Sequence, residues 1–162
     1  MRYKSTRCWV NADRGITKNV PTSDNAIKFD SMFEAKVYCS LLHEFQASQN
    51  WDITCQYPVP LHSMNSSIRP VRSMKWKCDF ALFDARDSST IFSPPVFLVE
   101  AKGQVSQNFL FTLALLDERT LERLIVCCAD NQAVKKIRRA SNFDIPIVKT
   151  LKDLPHYLKV HR

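Results

Sequence analysis

The stretch Trp76-Lys77-Cys78-Asp79-Phe80, followed after a loop by Phe97-Leu98-Val99-Glu100-Ala101-Lys102-Gly103, decides how this chain folds. Each is a short apolar run bounded by polar or turn-forming residues, the pattern of a β-strand. In extended backbone alternate side chains share a face. Phe97, Val99 and Ala101 then point together into a core, and Leu98, Glu100 and Lys102 point the other way. In the earlier strand Trp76, Cys78, Phe80 and Leu82 share the apolar face, which leaves Lys77 and Asp79 opposite. Apolar strands that still present Asp79, Glu100 and Lys102 suit a divalent-cation site with an ammonium beside it. Hard cations such as Mg²⁺ take one or two carboxylates, with water and substrate phosphate completing the shell. Such a metal polarises a phosphoryl oxygen and supplies hydroxide near neutral pH. Lys102 would orient that nucleophile or stabilise charge in the transition state. A solvated Glu100–Lys102 ion pair at a strand end satisfies the same spacing.

Outward from these strands the pattern predicts a helix from Asp30-Ser31 to about Phe45 and a strand over Ile53–Pro60. The decisive strands follow, at Trp76–Phe83 and Val96–Lys102. A helix over Ser106–Glu118, a strand over Arg123–Cys128 and a helix over Asn131–Ala140 come next. A short strand at Ile145–Lys149 and a last helical turn at Leu151–Leu158 end the chain. The order is α-β-β-β-α-β-α-β-α, an α/β fold with a mixed central sheet flanked by helices. Residues 1–28 are basic, show no clear period, and are expected to form an arm or loose lead-in to a single domain over 29–162.

Composition narrows the function classes. With 162 residues, 45% hydrophobic and 24% charged, the chain has the makings of one globular domain. Its only glycines are Gly15 and Gly103, so neither GxGxxG nor GxxxxGK[ST] can be written, and phosphate-cradling nucleotide loops are excluded. The six cysteines show no CxxC spacing and the four histidines form no ligand pair, which argues against zinc. The basic opening MRYKSTRCWV has no apolar signal core, and no apolar run is long enough to span a bilayer. The expectation is an intracellular protein with reduced cysteines, in cytoplasm, nucleoid or organelle, and no membrane partner. Twenty-three Lys+Arg against sixteen Asp+Glu give a net charge of +7. Lys and Arg gather without acids in 62–78 (Arg69, Arg72, Lys75, Lys77) and in 131–143 (Lys135, Lys136, Arg138, Arg139). Either block alone reads as a solvated face; the two together favour a polyanion such as nucleic acid.

Asp79, a loop, and then Glu100-Ala101-Lys102 after a hydrophobic strand resemble the signature of the PD-(D/E)XK nuclease superfamily. The element order resembles that superfamily's restriction-endonuclease-like αβββαβ core, here with C-terminal additions, and the likeness covers about 29–128. Cys78 stands where the motif name has proline. The resemblance implies metal-dependent phosphodiester hydrolysis with Mg²⁺ or Mn²⁺. Asp79 and Glu100 would be ligands, the Ala101 carbonyl a further oxygen, and Lys102 catalytic. Small size and a basic insert look most like intron-encoded homing or phage endonucleases acting site-specifically on double-stranded DNA. Junction resolvases and transposon end-cutting subunits are close competitors. A non-catalytic DNA-binding module and an RNA-binding or RNA-cleaving protein are the alternatives outside these classes.

Four further expectations attach to this reading. On a helical wheel Glu34 falls in the middle of the arc formed by Phe33, Val37, Leu41, Phe45 and Tyr38. A carboxylate buried there needs a cation, a metal or water; a capping box with Ser31 is the other explanation. Some members of the superfamily resemble this in placing a glutamate on the first core helix near the metal. Gln56 likewise resembles a glutamine on their first strand, although an edge-strand amide explains it as well. The loop carrying Arg69 and Arg72 would read bases or phosphates, with Lys75 and Lys77 beside it and the second block touching phosphates. Around the helix after the motif the apolar residues encircle the axis, which leaves Phe111 and Leu115 outward. These form a homo-oligomer contact, dimer or tetramer, unless the arm 1–28 or the C-terminal turn covers them.

Overall fold

A computed structural model describes residues 6–11, 15–19, 26–46, 51–61, 74–86, 93–140 and 144–160. Strands β1 (Cys8–Asn11), β2 (Gly15–Thr17) and β3 (Ile27–Phe29) precede helix α1 (Met32–Gln46). Then come β4 (Trp51–Pro60), β5 (Lys75–Asp84), β6 (Phe97–Lys102), α2 (Gln107–Ala114), α3 (Glu118–Glu122) and β7 (Leu124–Cys128). Helix α4 (Asn131–Ala140), β8 (Ile147–Val148) and α5 (Asp153–Val160) complete the order. The central sheet runs β4-β5-β6-β7-β8. Pairing is antiparallel from β4 to β6 and parallel from β6 to β8. This is the expected mixed α/β sheet between helices.

Each face of the sheet buries its own cluster. On one side Phe80, Leu82, Phe97, Val99, Ala101, Ile125 and Cys127 pack against α1 (Val37, Tyr38, Leu41, Phe45) and α5 (Leu154, Leu158). On the other, Leu98, Leu124, Val126 and Cys128 pack against Phe109 and Leu113 of α2, Leu121 of α3, and Ala133, Val134 and Ile137 of α4. β6 and β7 are apolar almost throughout because both their faces are covered. The rings of Phe29, Tyr38 and Phe80 meet at 5.1 to 6.2 Å. Such pairs contribute about 0.5–1.5 kcal/mol each beyond area burial, and they fix α1 on the sheet beside Asp79.

Two expectations are corrected. The described residues of the lead-in 1–28, with Phe29, form three short strands in a sheet of order β2-β1-β3, antiparallel throughout. Cys8, Val10 and Phe29 are buried in the same cluster as α1, so this sheet is part of the folded body. Its strands have three or four residues, too few to display a period against a polar background. The helix expected over Ser106–Glu118 is broken. Leu115 caps α2, and Asp117 restarts the chain as α3 by accepting the Thr120 N–H at 2.7 Å. An aspartate that can satisfy an orphan amide at a helix start competes with helix continuation.

Candidate active site

The site is built where two strands turn over. β4 and β5 pair Cys55 with Phe80 and Tyr57 with Cys78. Strict alternation would keep 55 with 57, and 78 with 80, on one face. Instead Cys55 and Phe80 pack in the α1 layer, whereas Tyr57 and Cys78 pack in the α2 layer. The single apolar face expected for Trp76, Cys78, Phe80 and Leu82 is therefore corrected: it switches at Asp79. Opposite Asp79, Gln56 holds a φ of 55°, a left-handed conformation that costs a side-chain-bearing residue roughly 1–2 kcal/mol.

Beside this switch β5 and β6 part. Their register runs from Leu82↔Phe97 to Phe80↔Val99, and Asp79 and Glu100 lie just past it. Side chains take over from the ladder. The Asp79 N–H donates to Glu100 Oε2 at 3.0 Å, and the Ala101 N–H donates to Asp79 Oδ2 at 2.8 Å. Cys78 Sγ donates to the Val99 carbonyl at 3.5 Å. The Lys102 ammonium pairs with Glu100 Oε1 and lies 4.6 Å from the centre of the Phe109 ring.

Glu34 and Gln56 close the group from the other layer. Gln56 Nε2 donates to Glu34 Oε1 at 3.1 Å and, more weakly, to Asp79 Oδ1 at 3.5 Å. Ser31 Oγ accepts the Glu34 N–H at 3.1 Å, as in the first half of a capping box. The Glu34 carboxylate, however, bonds the Asp30 amide and Gln56 rather than completing that box. All five expected catalytic residues, Glu34, Gln56, Asp79, Glu100 and Lys102, thus form one connected constellation. Asp30 is an acid near the group that sequence reading passed over; its only signal was adjacency to the cap.

The electrostatics are unfavourable for a cluster of carboxylates alone. Glu34 is 8% exposed and Glu100 2%. Burial, then the charges of Asp79 and Asp30, push the Glu34 carboxyl up from 4.5 to about 7. Burial also raises Asp79, against the pull of Lys102 and the Ala101 amide. Burial and Asp79 raise Glu100, against Lys102. Burial works against the Lys102 charge, yet Glu100 and Asp79 outweigh it and hold the ammonium above the ordinary lysine value. Two buried acids, Glu34 and Glu100, and the half-buried Asp79 against one ammonium leave a deficit of positive charge, and isolated buried carboxylates are costly.

No group of three or more His, Cys, Asp or Glu side chains among the described residues is set to hold a metal ion. The donor set nevertheless fits a hard divalent ion of the Mg²⁺ kind, which needs only one or two carboxylates with water and substrate oxygen. Asp79 and Glu100 are the residues that would hold it. What Ala101 contributes here is its N–H to Asp79, with its carbonyl remaining the expected third oxygen.

Among the described residues, the other expected site residues lie on β5, α2 and its cap, and α4. Arg69 and Arg72 fall outside the described residues. Lys75 and Lys77 are exposed on β5. Lys135, Lys136, Arg138 and Arg139 are carried by α4, where Lys135, Lys136, Arg138 and Arg139 are all exposed. Lys135, Lys136 and Arg139 line a groove of about 450 Å³ with Gln107, Leu110 and Gln132, and its lining holds no carboxylate. The Lys136 ammonium donates to the Val105 carbonyl, in the loop just after Lys102. Phe111 is 59% exposed. Leu115 is half-buried at the α2 cap rather than on a continuing outward face. A larger cavity, about 650 Å³, is lined by Asp52, Thr54, Asp84 and Arg123 and includes none of the constellation. No helix among the described residues is long and apolar enough to cross a membrane. No family model, curated protein or solved structure matches the chain.

Proposed function

We propose that the chain is a metal-dependent endodeoxyribonuclease with a restriction-endonuclease-like core, acting site-specifically on double-stranded DNA. The observation that carries the reading is the reciprocal tie of Asp79 and Glu100 at the point where β5 and β6 part, with Lys102 on Glu100. Three antiparallel strands followed by two in parallel pairing, between helical layers, support the fold. Bound at Asp79 and Glu100, Mg²⁺ would polarise the scissile phosphate and supply hydroxide at neutral pH.

The chain's own groups do the rest. Backbone amides hold one oxygen of each carboxylate, so the pair enters the reaction already oriented. The Lys102 ammonium lies beside Glu100, where it stabilises negative charge developing on a phosphoryl oxygen. Gln56 spans Glu34 and Asp79 and keeps the two acids from drifting together. The cations of α4 receive the DNA backbone, which they bind without regard to sequence.

The test is cleavage of duplex, junction and single-stranded DNA with and without Mg²⁺. Asp79→Ala and Glu100→Ala are expected to abolish cutting and leave DNA binding intact, because removing a carboxylate lowers the repulsion of phosphate. Lys102→Ala is expected to lose the chemical step. Normal turnover by Asp79→Ala would refute the assignment.

A further inference from the structure

We infer that Phe109 is a positioning residue for Lys102, a role that deepens the nuclease reading and rests on it only where cleavage is measured. The Lys102 ammonium is 4.6 Å from the centre of the Phe109 ring. The ring is 5% exposed, and the lysine side chain 21%. Ser106 accepts the Phe109 N–H through Oγ at 3.2 Å and so sets the first turn of α2. That cap fixes the phase of the helix, placing Phe109 and Leu113, its two buried residues, against the sheet. Trp76 packs on the same ring with centroids 6.3 Å apart.

The face of an aromatic ring is negative and attracts a cation most strongly where water is scarce. Among the described residues the Lys102 ammonium touches Glu100 Oε1 and this ring, and the Asp79 charge also acts on it. The other oxygen of Glu100 is occupied by the Asp79 amide. Were Glu100 to serve a divalent ion, the ammonium would share Oε1 with it, and the ring would keep its contact with the ammonium. An ammonium kept there remains at the reacting phosphate instead of extending into solvent.

The experiment replaces Phe109 by mono-, di- and trifluorinated phenylalanine, which weakens the ring's negative face stepwise at nearly constant shape. Single-turnover cleavage, DNA affinity and melting temperature are measured for each. The cleavage rate is expected to fall in steps, to about one tenth for the trifluorinated ring, with affinity and melting temperature level. Phe109→Leu is expected to match the last step. A rate that stays flat across the series overturns the inference.

A second readout needs neither DNA nor metal. In the carbon–proton NMR spectrum, the Lys102 ε-methylene, assigned by its loss in Lys102→Arg, is expected upfield under the ring current and shifted back in Phe109→Leu. An ordinary lysine position in the unsubstituted protein sinks the contact. Should no DNA form be cut while the ε-methylene is ring-shifted, the nuclease reading fails and the placement of Lys102 by Phe109 stands.

Discussion

Glu34 offers the sharpest perturbation, because its two explanations differ in sign. Its carboxyl titrates near 7 in the folded chain against 4.5 ordinarily, with burial the leading cause. Between those pH values the folded state binds the proton that the unfolded state has released. Folding stability therefore falls as pH rises through this window. At about 1.36 kcal/mol per tenfold change in proton affinity, the span amounts to roughly 3 kcal/mol. Asp79 and Glu100 are also raised, so the measured titration belongs to the group rather than to one residue. Glu34→Gln keeps the shape and an oxygen for Gln56 but carries no charge. In urea titrations with a chelator, the variant is expected to equal the parent at pH 4.5 and to exceed it by about 2–3 kcal/mol at pH 8. Added Mg²⁺ or Mn²⁺ is expected to raise the parent more than the variant at pH 8. If Glu34→Gln is instead weaker by a constant amount at every pH, the residue acts only at the helix start, and the buried-acid argument is wrong.

Two other substitutions separate neighbouring roles. Gln56→Gly relieves the left-handed backbone, and is expected to leave urea stability level or raised by up to about 1 kcal/mol while cleavage falls for want of the bridging amide; unchanged cleavage would reduce Gln56 to a turn residue. Neutralising Lys135, Arg138 and Arg139 is expected to weaken binding of all DNA alike and to lower the slope of the salt dependence by about 0.9 for each phosphate left without its cation. Lys136→Met, by contrast, is expected to reduce cleavage more than affinity, since its ammonium ties down the loop after Lys102.

Much of this was legible in the chain. The order of the central strands and helices follows from runs long enough to show a period, and α4 keeps the bounds Asn131–Ala140 that its pattern predicts. Glu34 in an apolar arc, and Glu100 two residues from Lys102, are visible as anomalies because acids rarely interrupt such runs. Three things were not legible. β1 to β3 are too short to carry a pattern. The stop at Leu115 depends on whether Asp117 caps a new helix or sits exposed on an old one, and local sequence permits both. The face switch at Gln56 and Asp79 leaves the apolar alternation of the letters intact while reversing which layer each residue meets. Strand residues in a sheet covered on both sides are apolar either way, so sequence carries no mark of the reversal.

That reversal explains how residues from opposite layers reach one site. A regular sheet separates its faces: Glu34 on α1 and Lys102 beside α2 would be divided by a continuous ladder of backbone bonds. Where β4 and β5 turn over and β5 parts from β6, the ladder is interrupted, and amides that would have bonded a neighbouring strand are released. Two of them, at Asp79 and Ala101, are taken up by the carboxylates of Glu100 and Asp79. An unpaired buried amide costs about 1–3 kcal/mol, so removing either carboxylate disturbs the backbone as well as the charge. The acids thus hold open the gap that brings them together. The left-handed backbone at Gln56 is tolerable for the same reason, since relaxing it would return Asp79 to a flat sheet and separate Glu34 from Glu100. Strain of this kind persists where the surrounding contacts over-determine it, and here those contacts are the constellation itself.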